Sequence, residues 1–165
     1  MSPRRVTRAQ VALVLLLLVV LQFYIRPRLW NARVSPDFLL IGLMLFAMRS
    51  GAGAGALAGF LVGLIEDTLT PARFGAAALA HTVVGYLAAW GRAVFFADNM
   101  LVNAAFVAVW LWVRDVIVLL ASDTDHRQLL TELTFYSPIQ ALTTAAFALA
   151  LLLTFRAVFS VRLDA

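Results

Sequence analysis

Long apolar segments, separated by short polar ones, make up most of the chain. Within each segment the apolar residues fill consecutive positions instead of recurring every three or four, so whole helix circumferences are hydrophobic. Helices of this kind are typical of a lipid environment. The pattern predicts an all-α membrane protein, a bundle of six transmembrane helices in one domain, over residues 9–25, 36–48, 52–65, 76–90, 100–120 and 138–155.

Local signals define the first two helices. Arginines precede residue 9 as they do in a signal peptide. No small-x-small cleavage site follows before Arg26-Pro27-Arg28, so we expect this segment to remain as the first helix. Ser35-Pro36-Asp37 is typical of a helix start, with Ser35 as the N-cap and Asp37 near the positive end of the helix dipole.

Two segments leave alternatives open. The second and third helices are short and are joined by the tight turn Arg49-Ser50-Gly51, so they form either two spans or a re-entrant pair. The total is then six spans, or else five or four. Residues 122–137 form either an ordinary loop or a short helix in the membrane interface, capped by Asp125. In the helical alternative one face carries Leu129, Leu130, Leu133 and Tyr136.

Composition narrows the class further. The chain is 63% hydrophobic and 13% charged, whereas a soluble domain is about 45–50% apolar and about 25% charged. Its 13 basic residues are all arginines. All but Arg114 stand singly or in threes at the ends of apolar segments, so nucleic-acid binding is not expected. The absence of cysteine excludes disulfides, thiolate metal ligands and thiol nucleophiles.

The distribution of arginine predicts the orientation. Six spans place both termini on one side of the membrane, together with more of the arginines than lie opposite. By the positive-inside rule this side is cytoplasmic. The arginines on the side of the termini are Arg4, Arg5, Arg8, Arg49, Arg92, Arg156 and Arg162, and those opposite are Arg26, Arg28, Arg33, Arg73 and Arg127.

A glycine recurs at every fourth position of the third helix. Residues four apart share a helix face, so this face lacks side chains and lets another helix approach closely. The neighbour is either a helix of this chain or a helix of another protein. The face is formed by Gly51, Gly55, Gly59 and Gly63.

Several polar residues accompany this face. Glu66 and Asp67 begin a predicted polar loop over residues 66–75. Because adjacent residues point about 100° apart on a helix, the two cannot serve one substrate atom as acid and base, and we interpret both mainly as interface residues. The alternative is that Asp67 points inward to a polar partner.

Four polar residues fall inside predicted spans and should face the bundle, because a charge at mid-helix is costly in lipid. They are His81, Asn103, Arg114 and Asp115. Arg114 and Asp115 are consecutive and are not expected to pair with each other. The set forms either a buried polar clamp between helices, which we favour, or a proton or ion relay. No metal site is expected, because neither His81 nor His126 has acidic residues at ligand spacing.

A family resemblance covers residues 36–87. It consists of Pro36 with Phe38-Leu39-Leu40, then Gly59-Phe60, Gly63 and Asp67, then Gly75, Leu79 and Gly85-Tyr86-Leu87, with Asp115 as a further acidic match. In these residues the chain resembles MreD, a small membrane protein of the bacterial rod-shape system.

The resemblance implies a six-helix protein of the bacterial cytoplasmic membrane, with cytoplasmic termini and no catalysis or cofactor. It implies a partner role in the elongation machinery that synthesises peptidoglycan. The partners it implies are an MreC-like protein with a single span, a RodA-type glycosyltransferase, a class B penicillin-binding protein and, indirectly, MreB filaments.

Two other functions remain as alternatives. The fold of the family is similar to the substrate-binding subunits of energy-coupling-factor vitamin transporters, so such a subunit is the alternative function. Those subunits commonly carry Ala-x-x-x-Ala on the first helix, whereas Ala9 and Ala12 are three apart. A lipid-modifying hydrolase would need a nucleophile with its base, and Glu66, Asp67 and His81 match no such motif.

Overall fold

A computed structural model describes residues 8–29, 31, 33–91, 100–122 and 125–159. Every regular element within these ranges is a helix. α1 continues through a π turn, Leu21–Ile25, and a short 3-10 turn, Arg26–Arg28. The α-helices are α1 Arg8–Val20, α2 Phe38–Ala47, α3 Ala52–Leu69, α4 Ala76–Trp90, α5 Met100–Ala121, α6 His126–Thr131 and α7 Ser137–Phe159.

The six predicted long helices are present as α1 to α5 and α7. The prediction of a loop from Glu66 is wrong, because α3 continues to Leu69. The helix ends there because Pro71 disfavours a helical backbone at the residue before it. That residue, Thr70, has φ −132° and ψ 68°, outside the helical region. The additional helical turn keeps Glu66 and Asp67 on the rigid end of α3.

The segment between α5 and α7 is helical and joins α7 directly. α6 passes into a π turn over Glu132–Tyr136, and both Glu132 and Ser137 keep helical backbone angles. Residues 126–159 therefore form one long helix with a π bulge, instead of a separate helix along the interface. The expected cap is wrong as well, since the Asp125 side chain makes no capping hydrogen bond.

α2 lies at the centre of the bundle. It contacts each of the other long helices, and eight of its ten residues are buried. At 1.5 Å per residue it is about 15 Å long, which is half of the hydrocarbon thickness of about 30 Å. The first turn of α2 consequently lies inside the protein, where its free amide groups need partners.

The outer surface of the bundle is apolar. Leu13, Leu57, Leu101 and Leu120 are each more than half exposed, and many other large hydrophobic side chains accompany them. Among the described residues, three helical segments are long and apolar enough to cross a membrane, whereas α2 and α4 are shorter apolar helices. The surface fits a membrane location. The three segments are Ala52–Leu69, Leu101–Ala121 and Arg127–Thr154.

α3 and α4 form the most extensive helix contact. Gly55, Gly59 and Gly63 are buried against α4, and a Cβ at each would overlap a backbone carbonyl oxygen of that helix. Gly85 of α4 is equally close to Gly55. Gly51 is exposed and has nothing near it, so the glycine face begins one turn later than predicted. Among the described residues, this face therefore packs against α4 of the same chain.

Candidate functional site

Asp37 caps the buried start of α2. Its Oδ1 accepts a hydrogen bond from the amide of Leu40 at 2.9 Å, which satisfies one of the free amides of the first turn. Ser35 was predicted as this cap, but its hydroxyl instead donates to the carbonyl of Asn31 at 2.7 Å. The chain folds this way because α2 starts two residues later than Pro36 suggested, at Phe38.

Three other helices supply the remaining partners of this helix start. The Asp37 amide donates to Thr144 Oγ1 on α7 at 3.0 Å, and the Phe38 amide donates to Gln22 Oε1 at the end of α1 at 3.1 Å. From α5, Arg114 Nη2 donates to Asp37 Oδ2 at 2.7 Å. Asp37 is completely buried. One short helix terminus thereby connects α1, α5 and α7.

Arg114 is held from two sides. Its Nε lies 3.2 Å from Asp115 Oδ1 in an ion pair that lacks hydrogen-bond geometry. The Ser137 hydroxyl donates to the other carboxylate oxygen of Asp115. The expectation that Arg114 and Asp115 do not pair is wrong. The rule for consecutive helix positions concerns the directions of the Cβ atoms, whereas a long arginine side chain can fold back along its own helix.

Asp67 caps a helix to which it does not belong. Its two carboxylate oxygens accept hydrogen bonds from the amides of Ala77 and Ala78 at 3.0 Å each. These amides are in the first turn of α4, where the helix dipole favours a negative charge. Gly75, at φ +95°, makes the turn that brings α4 back to the end of α3. Asp67 is buried, so its interpretation as an interface residue is wrong and the inward alternative holds.

His81 and Glu66 face each other below this cap. The Nδ1 of His81 is 2.9 Å from the carbonyl oxygen of Ala77. A carbonyl oxygen only accepts hydrogen bonds, so Nδ1 carries a ring proton. Nε2 is buried, has no hydrogen-bond partner among the described residues and lies 3.8 Å from Glu66 Oε2. Glu66 Oε1 is 4.0 Å from Arg26 Nη1.

These groups form one buried polar cluster, which we define as Asp37, Glu66, Asp67, His81, Arg114 and Asp115. One potential ligand atom from each of Asp37, Glu66 and His81 lies within 4.8 Å of the other two. An open cleft of about 510 Å³ borders the cluster and is lined in part by Glu66, Asp67 and Arg114. The arrangement can cap helices, balance charge and hold a cation.

Asn103 does not join the cluster. It is buried on α5, and its side-chain oxygen has no hydrogen-bond partner among the described residues. It lies eleven positions before Arg114, or about 16 Å along the helix. Of the four predicted intramembrane polar residues, the structure therefore brings together His81, Arg114 and Asp115.

A comparison with known protein families identifies the chain. The family model described as rod shape-determining protein MreD matches residues 4–161, which is nearly the whole chain. The chain belongs to the MreD family. No curated protein and no solved structure matches it. The expected similarity to the substrate-binding subunits of vitamin transporters stays a prediction.

The residues that carry the MreD resemblance meet in the structure. Gly59 and Gly63 of α3 lie against α4, and Gly85 of α4 lies against α3. Asp67 caps α4, and Gly75 makes the turn between the two helices. The MreD pattern from residue 59 to residue 85 thus describes one closely packed helix pair together with its cap.

Asp37 is the member of the cluster that sequence reasoning missed. The Ser35-Pro36-Asp37 pattern places Asp37 near the positive end of a helix dipole and shows nothing of its role as the partner of Arg114. The signal available in the sequence was the buried charge of Arg114, which requires a counter-ion in a membrane protein. Nothing in the spacing shows that this counter-ion comes from a position 77 residues away.

Proposed function

We propose that this MreD family member is a non-catalytic membrane scaffold of the bacterial cell-elongation complex and that it binds an MreC-like protein with a single span. Membership of a family of rod shape-determining proteins supports this role. Through that partner the scaffold acts with a RodA-type glycosyltransferase and a class B penicillin-binding protein, and indirectly with MreB filaments.

The observation that carries the proposal is that the buried carboxylates accept hydrogen bonds from groups of the same chain. The two oxygens of Asp67 each accept an amide hydrogen bond, and those of Asp37 accept from an amide and from Arg114. Such bonds fix the positions of α2 and α4 against their neighbours. The polar residues then maintain the shape of an outer surface that a partner helix can recognise by packing.

The first expected result concerns Asp67. The variant Asp67→Asn keeps one acceptor oxygen but loses one of the two amide hydrogen bonds and the charge at the start of α4, at a cost of about 1.5–3 kcal/mol. We expect rod growth to fall only as far as the amount of complex falls. Pull-down of an MreC-like partner in mild detergent, measured with cell shape in the same strain, checks this.

The matched control is Glu132→Gln. It removes a carboxylate that lies outside the cluster, 3.1 Å from Arg33. It should leave both readouts unchanged. A variant of Asp67 that captures the partner fully at normal abundance and still abolishes rod growth contradicts the scaffold proposal.

We propose that the protein lies in the cytoplasmic membrane with both termini in the cytoplasm. The cluster, the turn at Thr70 and the exposed Arg33 belong to the end of the bundle opposite to the turn at Arg49. In this orientation the cluster and its cleft lie near the outer face of the membrane.

A labelling experiment tests this orientation. The chain contains no cysteine, so single cysteines at Ser2, Arg33, Thr70, Asp123 and Asp164 can be labelled without background. With an impermeant thiol reagent on intact cells, we expect labelling at positions 33, 70 and 123 and none at positions 2 and 164. Labelling of both termini contradicts the orientation, and labelling of one terminus contradicts the even number of spans.

A further inference from the structure

Negative charge exceeds positive charge around the start of α2. The cluster contains four carboxylates, whose side chains are at most 14% exposed. Among the described residues, the largely buried guanidinium groups of Arg26 and Arg114 oppose them. With His81 counted as neutral, two negative charges are in excess. Arg73 also lines the cleft, but it is exposed. Amide hydrogen bonds from the first turns of α2 and α4 stabilise Asp37 and Asp67, and a bound cation would balance the negative charge that remains.

His81 presents an unpartnered ring nitrogen to this negative region. The bond between Nδ1 and the carbonyl of Ala77 fixes the ring, and Nε2 is completely buried with no hydrogen-bond partner in the described part of the chain. A histidine that binds a metal ion typically donates its other ring N–H to a carbonyl or carboxylate in this way. An unpartnered buried nitrogen costs free energy unless a donor or a cation satisfies it.

We propose that Asp37, Glu66 and His81 bind a divalent transition-metal cation, with Zn²⁺ as the preferred ion. One imidazole nitrogen and two carboxylate oxygens suit Zn²⁺, and its double charge balances the excess of the cluster. Of the three ligands, Glu66 lines the cleft, from which a water molecule would enter to complete the tetrahedron. The ion joins the start of α2 to the end of α3 and to the second turn of α4.

The distances permit this coordination after a small movement. Ligands of a tetrahedral zinc at about 2.1 Å are about 3.4 Å apart, whereas the three atoms lie within 4.8 Å of one another. Glu66 is at the cleft and partly exposed, so its side chain can supply most of the movement. Asp37 can keep its bonds to Leu40 and Arg114, because each carboxylate oxygen has a second lone pair.

Purified protein tests the proposal without any partner. The tag-free protein in detergent is stripped with a chelator and titrated with zinc chloride, and metal content and thermal unfolding by tryptophan fluorescence are recorded. We expect one zinc ion per chain and an unfolding temperature that rises with free zinc, as for any ligand that binds the folded state. No bound zinc and no rise in unfolding temperature would overturn the proposal.

Four variants locate the site. Glu66→Gln and His81→Gln should each weaken zinc binding by at least about tenfold, since even residues beyond the ligand shell commonly have that effect. His126→Gln removes the other histidine and Glu132→Gln an acid outside the cluster, and both should bind as the parent does. Unchanged binding in Glu66→Gln, checked for a monodisperse elution profile, overturns the proposal even if His81→Gln does not fold. Loss of binding in His126→Gln also overturns it.

Discussion

Replacing Gly59 with alanine is expected to destabilise the protein by about 1–3 kcal/mol, the usual cost of overpacking a close contact. A Cβ at this position would overlap the carbonyl oxygen of His81. That oxygen belongs to the backbone of α4, so it cannot move aside by a change of rotamer. The two helices have to separate, and the separation also pulls Asp67 away from the amides of Ala77 and Ala78.

Gly53→Ala is the matched control for this prediction. Gly53 is on the same helix, and a Cβ there meets nothing within 4 Å. Alanine is a better helix former than glycine, so this variant should be neutral or slightly more stable. Unfolding in mixed micelles with increasing dodecyl sulfate, followed by tryptophan fluorescence, measures both. Equal stability of the two variants would contradict the close contact between α3 and α4.

The sequence predicted the glycine face of α3 well because residue spacing along one helix is a local signal, but it left open which helix packs there. A glycine at every fourth position implies a bare face whatever lies opposite, and it indicated Gly55, Gly59 and Gly63 correctly as a surface without side chains. Gly51 continues the spacing but stands before the first helical residue, Ala52. Glycine spacing alone does not show where a helix begins, so the predicted glycine face was one turn too long.

The polar cluster was only partly predictable because its partners are distant in the sequence. The charge of Arg114 inside an apolar segment required a buried partner. Asp37 before α2, and Glu66 and Asp67 at the end of α3, could each supply the carboxylate. Asp37 reaches Arg114 because α2 is short and starts inside the bundle. Likewise the proximity of Asp37, Glu66 and His81 depends on how three helix ends meet, which no ligand spacing along the chain reveals.

The second large effect is expected at the ion pair between Arg114 and Asp37. Arg114→Met leaves Asp37 completely buried without its closest counter-charge, and breaking a buried pair from one side costs about 3–5 kcal/mol. Arg33→Met is the matched control. It removes a pair of similar length, 3.1 Å, in which Arg33 is 60% exposed, and such surface pairs contribute about 0–1 kcal/mol. The unfolding assay used for the glycine variants compares the two.

A second substitution separates charge from packing at this position. In the Arg114→Met background, Asp37→Asn removes the unpaired charge, and its side-chain oxygen can still cap the amide of Leu40. We therefore expect the double variant to be more stable than Arg114→Met alone, with a coupling of about 0.5–3 kcal/mol between the two sites. If Arg114→Met costs no more than Arg33→Met, Arg114 does not stabilise the start of α2. If the double variant recovers nothing, the loss comes from the missing arginine side chain and not from the unpaired carboxylate.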